Sequence, residues 1–315
     1  MKKIRATFLT TRYDLMKKHW EKHAALNKRG VPGTNVAIGR DIDLGGVMID
    51  IDWQTKDVQK TSLSCPSGVA MRNALLAVAS MRQNEIYLID GEGIIVKTIS
   101  HPYLSDIHSI AFTGANTLLV ASTGLDAIIE LDMDGALVWS WVAMDHGYEK
   151  DSYGNKRSLR LKGIDHRHMD YPALFQTTHI NSVIPHPDKH DVVLATLFYQ
   201  GEVVEIDKST GSVSVVFSGL SNPHSIKKID AGYIVSNTKK GEVIFLDGLY
   251  RETRRIATGS AWLQDADISP WGTLFAARGD VGDIAEISLE NDSIIDRYVY
   301  DPTWRIYQVA FPMEA

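Results

Sequence analysis

Polar and apolar residues alternate over most of this chain in stretches of five to eight, rich in Val, Ile and Tyr and broken by DGEG, DMDG, DKSTG and LEND. Such alternation with turn residues at fixed places predicts half-buried antiparallel strands joined by tight turns. Stacking the stretches reveals a repeat of roughly 40 residues, the period of propeller blades. Five copies start at Cys65, Asp106, Thr178, Asn222 and Leu263, each reading strand, turn, strand, loop, strand, turn, strand.

The ends of the chain supply a sixth. RIYQVAFPMEA repeats the first strand of a blade and stops, while IRATFLTTR, GGVMIDIDW and DVQKTSL near the start read as its second, third and fourth strands. The expected fold is therefore all-β: one six-bladed β-propeller over residues 1–315, closed by N-terminal strands that complete the last blade. Such closure leaves no sheet edge unpaired. Two insertions interrupt it, at 13–44 and 145–175. The first begins with a helical pattern over 13–29 that stops before Gly30 and Pro32. The second is polar, carries His146, His166 and His168, and has the length of a functional loop or lid.

Composition narrows the function. With 44% hydrophobic and 23% charged residues the chain can bury a large core, and it has no apolar run of membrane-spanning length. A net charge of −6 without a basic face argues against nucleic acid. The single cysteine, Cys65, reads as a small buried hydrophobe in a reducing compartment, and the start lacks the apolar stretch of a leader, so the expected location is cytoplasmic. Small molecules are the expected partners, anionic or aromatic; oligomeric state is left open. No phosphate loop, dinucleotide fingerprint or nucleophile elbow is present. DSYGNKRSLRL lacks the alternating carboxylates of a calcium loop.

Strand direction sorts the polar residues by face. Aligned inner strands place Ser67, His108, His179, His224, either Gln264 or Asp265, and Tyr307 at one register around a central channel. Second strands end on that same face at Arg12, Arg82, Thr123, Phe198, Thr238 and Arg278. Singly, each histidine is as readily structural; three at one register point to a site. His186 and His190 fall on the opposite face.

Two readings of this cluster follow. In one, His224 is a nucleophile assisted by His108, His179 and Asn181, with Arg12, Arg82, Arg278, Tyr307 and His168 holding the substrate, and no cofactor. In the other, His108, His179 and His224, with Asp265, hold Zn or Fe in a lyase, hydrolase or cyclase. A non-catalytic binding propeller would use the same funnel.

The third and second blades, THINSV…GEVVEIDKSTG and TLLVAS…IIELDMDGALVWSW, resemble the arylsulfotransferase family over about half of the chain. The resemblance implies a six-bladed propeller that passes a sulfuryl group from an aryl sulfate through a histidine to a phenol. It maps His108, His179, Asn181 and His224 onto active-site positions, with His224 in the place of the sulfated histidine. Where the family carries an arginine after the second strand, this chain has Phe198 or, one place earlier, Leu197.

Overall fold

The computed structural model describes residues 2–18, 21, 43–151, 153–169 and 171–312. Six antiparallel four-stranded sheets form the propeller. The inner strands are Pro66–Arg72 in blade 1, Ile107–Phe112 in blade 2, Ile180–Pro185 in blade 3, Ile226–Ile229 in blade 4 and Leu263–Ile268 in blade 5. Blade 6 takes its inner strand, Arg305–Ala310, from the end of the chain and then Lys3–Thr10, Val47–Asp52 and Val58–Ser62 from the start. The closure expected from the sequence is thus the one observed. Residues 13–18 are helical; the rest of the helix expected over 13–29 lies outside the described residues.

Burial is greatest in the middle strands of a blade. The second and third strands of blade 2, Leu118–Ser122 and Ala127–Leu131, are buried on both faces, because each sheet is sandwiched between its neighbours. Its outer strand, Leu137–Val142, has both exposed and buried positions. Inner strands approach closely: a Cβ on Gly68 would stand 2.7 Å from the Cα of Ser109 in the next blade. Hydrogen bonds also run between inner strands, from the Val183 amide to Ser109 Oγ at 2.9 Å and from Ser67 Oγ to the Ile107 carbonyl at 2.7 Å.

Closure is held by a ladder and by apolar packing. Arg5, Ala6 and Thr7 pair with Ala310, Val309 and Gln308. Phe8, fully buried, meets Tyr300 and Trp304 edge-on at 4.9 and 5.0 Å between ring centroids. Trp53 Nε1 donates to the buried Glu286 carboxylate at 2.6 Å, tying blade 6 to blade 5.

Phe8→Ala is expected to cost about 3–5 kcal/mol of unfolding free energy, as for other buried aromatic truncations. Deleting residues 1–10 should bare two strand edges and drive aggregation, read by size-exclusion chromatography. A truncated protein with unaltered melting temperature and elution would contradict this closure.

Candidate functional site

The path into each inner strand sets what faces the axis. Cys65, Asp106, His179 and Asn222 have positive φ, from 41° to 56°, and each stands just before the inner edge of its blade. Two residues later come Ser67, His108, Asn181 and His224; the equivalents in blades 5 and 6 are Gln264 and Tyr307. In blades 1, 2, 3, 5 and 6 the pairing with the second strand shifts at or beside this residue. Such a bulge re-aims a side chain. His108, Asn181, His224, Gln264 and Tyr307 accordingly line a cavity of about 930 Å³ that runs along the inner strands.

This register corrects the alignment read from the sequence. His179 does not share the position of His108 and His224; Asn181 does, and His179 sits one step outward with Asp106, Asn222, Trp262 and Arg305. The shared triplets His108-Ser-Ile, Asn181-Ser-Val and His224-Ser-Ile carry the correct phase. The three histidines still gather. His108 and His179 meet edge-on at 4.9 Å, and Phe198 packs between His179 at 4.9 Å and His224 at 5.4 Å. Tyr307 closes on His108 at 5.9 Å and Trp262 on His224 at 5.6 Å. Phe198 therefore fills the space between His179 and His224 with an aromatic ring.

Each imidazole is held by Nδ1. His108 Nδ1 donates to the Asp106 carbonyl at 2.8 Å, His179 Nδ1 to Gln176 Oε1 at 2.5 Å, and His224 Nδ1 lies 2.8 Å from Thr238 Oγ1. In His108 and His179 the partner is an acceptor, so Nδ1 carries a proton, and in a neutral ring that leaves Nε2 as the lone-pair acceptor. The His224 ring also hydrogen-bonds the Asn222 backbone. Burial, reinforced by His108 and Arg305, lowers the His224 pKa from the usual 6.5 to about 3. Burial, with His108 and His224, also pushes His179 well down. Both are uncharged at neutral pH.

The other expected site residues divide. Arg278 is buried in a two-pronged pair with Asp283, at 2.7 Å and 2.5 Å, and also donates to the Thr258 carbonyl, so its fork is occupied. Arg12 lies on the exposed rim against Asp43 at 3.2 Å. Arg82 stands near Cys65, whose thiol burial pushes up to about 12. His168 is exposed on the second insertion, 4.0 Å from Asp165. Asp265 is bound by Lys227 Nζ at 2.8 Å and the Val309 amide at 2.9 Å. Among the described residues no group of three or more His, Cys, Asp or Glu is arranged to hold a metal ion.

Two functional residues escaped sequence reasoning. Arg305, over the Trp262 ring at 5.7 Å and donating to the Gly279 carbonyl at 3.0 Å, is the guanidinium whose charge bears on His224. Asp126 positions His179. Its buried carboxylate accepts from the amides of Thr177, Thr178 and His179 at 2.6, 3.0 and 2.7 Å, and from both threonine hydroxyls. Arg157, from the second insertion, pairs with it. That insertion lies on the histidine face: His166 N bonds the Pro102 carbonyl at 2.8 Å, Asn84 Nδ2 the Arg167 carbonyl at 2.8 Å, and Tyr199 Oη the Ala173 carbonyl at 2.6 Å.

No protein-family profile matches the chain, and no curated protein does. Solved structures do. A Bacteroides caccae protein of unknown function is 14% identical, with a TM-score of 0.61 over 85% of this chain and 95% of that one. Virginiamycin B lyase from Staphylococcus aureus is 10% identical, with a TM-score of 0.53 over 77% and 73%. The WD40 propeller domain of Doa1 is 12% identical, with a TM-score of 0.55 over 83% and 78%. At these identities the likeness shows the propeller fold. These neighbours include a lyase and a WD40 propeller domain. No described helix is long and apolar enough to cross a membrane.

Asp126→Ala is expected to cost about 3–5 kcal/mol, because it strands the buried Arg157 charge as well as the amides before His179. Equilibrium denaturation measures it; a loss under about 1 kcal/mol would show that Asp126 does not anchor this segment.

Proposed function

We propose that the protein is an enzyme of histidine-mediated group transfer, with His224 carrying the transferred group. The observation that supports this is the state of His224: uncharged, held at Nδ1 by Thr238, and lining the cavity. An imidazole with a pKa near 3 is a poor proton acceptor at neutral pH but keeps its lone pair for attack. The motif resemblance makes sulfuryl or a related group the class to be carried, and Arg305 supplies a positive charge that bears on His224.

In the first step the Nε2 lone pair forms a bond to sulfur as the bond from sulfur to the aryl oxygen breaks, and the aryloxide leaves with that electron pair. In the second, an acceptor hydroxyl attacks sulfur, the nitrogen–sulfur bond breaks, and the electron pair returns to Nε2. The acceptor's proton passes to the neighbouring imidazole of His108. Asn181 and Tyr307, in the same ring of residues, orient the acceptor. Metal is not required by this scheme.

Mixing the protein with nitrophenyl sulfate and no acceptor should release nitrophenolate in a burst of one equivalent per chain. His224→Ala should abolish it, His108→Ala should slow it, and chelators should leave it unchanged. Release that survives in His224→Ala, or that vanishes on chelation and returns with zinc or iron, would overturn the reading. Binding without any release would make the propeller a binding module.

A further inference from the structure

Beneath the histidines the channel wall carries a charge imbalance. Lys227, on the inner strand of blade 4, gives all three ammonium hydrogens to acceptors: Asp265 at 2.8 Å, Asp267 at 3.2 Å and the Val309 carbonyl at 2.9 Å. Two carboxylates thus share one lysine. Asp265 is only 2% exposed, and its second oxygen, Oδ1, has no partner. Asn181, 3% exposed, is in the same condition: Nδ2 donates to the Pro223 carbonyl at 3.1 Å while Oδ1 has no partner. Both residues line the cavity. A buried acceptor without a donor costs about 1–3 kcal/mol, more if charged, so each asks for a hydrogen-bond donor from within the channel.

The rest of the lining has the same bias. Its charged side chains are Lys227, Lys228, Asp230, Asp265 and Asp267, two positive and three negative. Lys228 does not offset this inside the channel, since it is exposed and bonded to the Ile229 carbonyl. Between the polar positions the walls are apolar, formed by residues such as Met71, Ile110, Phe112, Ile226, Ile268 and Phe311. The volume, about 930 Å³, is that of a site for an organic molecule rather than a bare ion.

We propose that the channel is a binding site for a small molecule with an apolar body and a primary ammonium group, the ammonium donating to Asp265 Oδ1 and a further donor satisfying Asn181 Oδ1. The lining continues to Pro187, Asp230 and Pro270, which are exposed on the rim opposite the histidines, so the ligand enters from that side with Asp230 at the mouth. An amine seated there has its other end toward His224, which would make it the acceptor substrate of a transfer reaction; the binding itself does not depend on that chemistry.

Isothermal titration calorimetry with phenethylamine, phenylethanol and phenylpropionate separates the possibilities on one aromatic body. The amine should bind the wild-type protein more tightly than the alcohol, and the carboxylate should bind least. Asp265→Asn, which keeps the shape and removes the charge, should weaken the amine by about tenfold or more, as expected for loss of a charge-assisted hydrogen bond. Asp267→Asn removes the same charge from a residue without an orphaned oxygen and should weaken it less. If Asp265→Asn does not fold by circular dichroism, Asn181→Ala takes its place, with selective weakening of tyramine, which carries a second donor. Equal affinity for amine and alcohol, no amine binding, or full affinity in Asp265→Asn and Asn181→Ala would overturn the proposal. Any of these could occur with the sulfate burst intact, and the burst could fail with amine binding intact.

Discussion

Everything at the axis depends on closing the ring. Six inner strands can surround a channel of fixed width only if the last blade is complete, and that blade is shared between the two ends of the chain. Lys3–Thr10 lies between Arg305–Ala310 and Val47–Asp52, so the position of Tyr307 and Arg305 relative to His108 and His224 is set by a strand 300 residues away in sequence. The same strand carries Thr7, whose hydroxyl bonds the Ser67 carbonyl at 2.8 Å and so joins blade 6 to blade 1 at the level of the histidines. A loosened closure would therefore widen the site before it unfolded the sheets.

Within that ring, the site is built by repetition. Left-handed backbone at the entry to an inner strand and a bulge two residues on turn one side chain per blade toward the axis. Filling those positions with His108, Asn181 and His224 brings two imidazoles and an amide to one ring; His108 Nδ1 donates to the Asp106 carbonyl, and burial keeps His224 uncharged. The expense of this arrangement falls on the acid side of neutrality. An imidazole whose pKa is lowered by folding binds its proton more weakly in the folded state, so stability is full above about 6.5 and declines as pH falls toward 3.

Much of this was legible in the sequence because blades announce themselves. DGEG, DMDG and DKSTG mark the hairpins, and RIYQVAF repeats the inner strand of a blade, whose other three strands are legible near the start of the chain. His108 and His224 were found by register for the same reason. His179 was placed in the wrong ring because the long insertion before it hides where the inner strand begins, and only the serine after Asn181 betrays the phase. Arg278 looked like a ligand for an anion because its partner Asp283 lies across a turn that does not show in a linear alignment. Arg305 was overlooked since its blade has no contiguous copy to align. The orphaned oxygens of Asp265 and Asn181 have no sequence signature: they depend on what Lys227 and Pro223 leave unbonded.

The central claim is that the histidines present uncharged Nε2 lone pairs to the channel. Long-range nitrogen–proton correlation spectra of the nitrogen-labelled protein report tautomer and charge for each ring directly. His179 and His224 should appear as neutral rings protonated at Nδ1, and the His224 signals should stay unchanged from pH 7 to pH 5, across the usual 6.5 midpoint, because its pKa lies near 3. A His224 ring protonated at Nε2, or one that becomes an imidazolium with a midpoint near 6.5, would contradict the account.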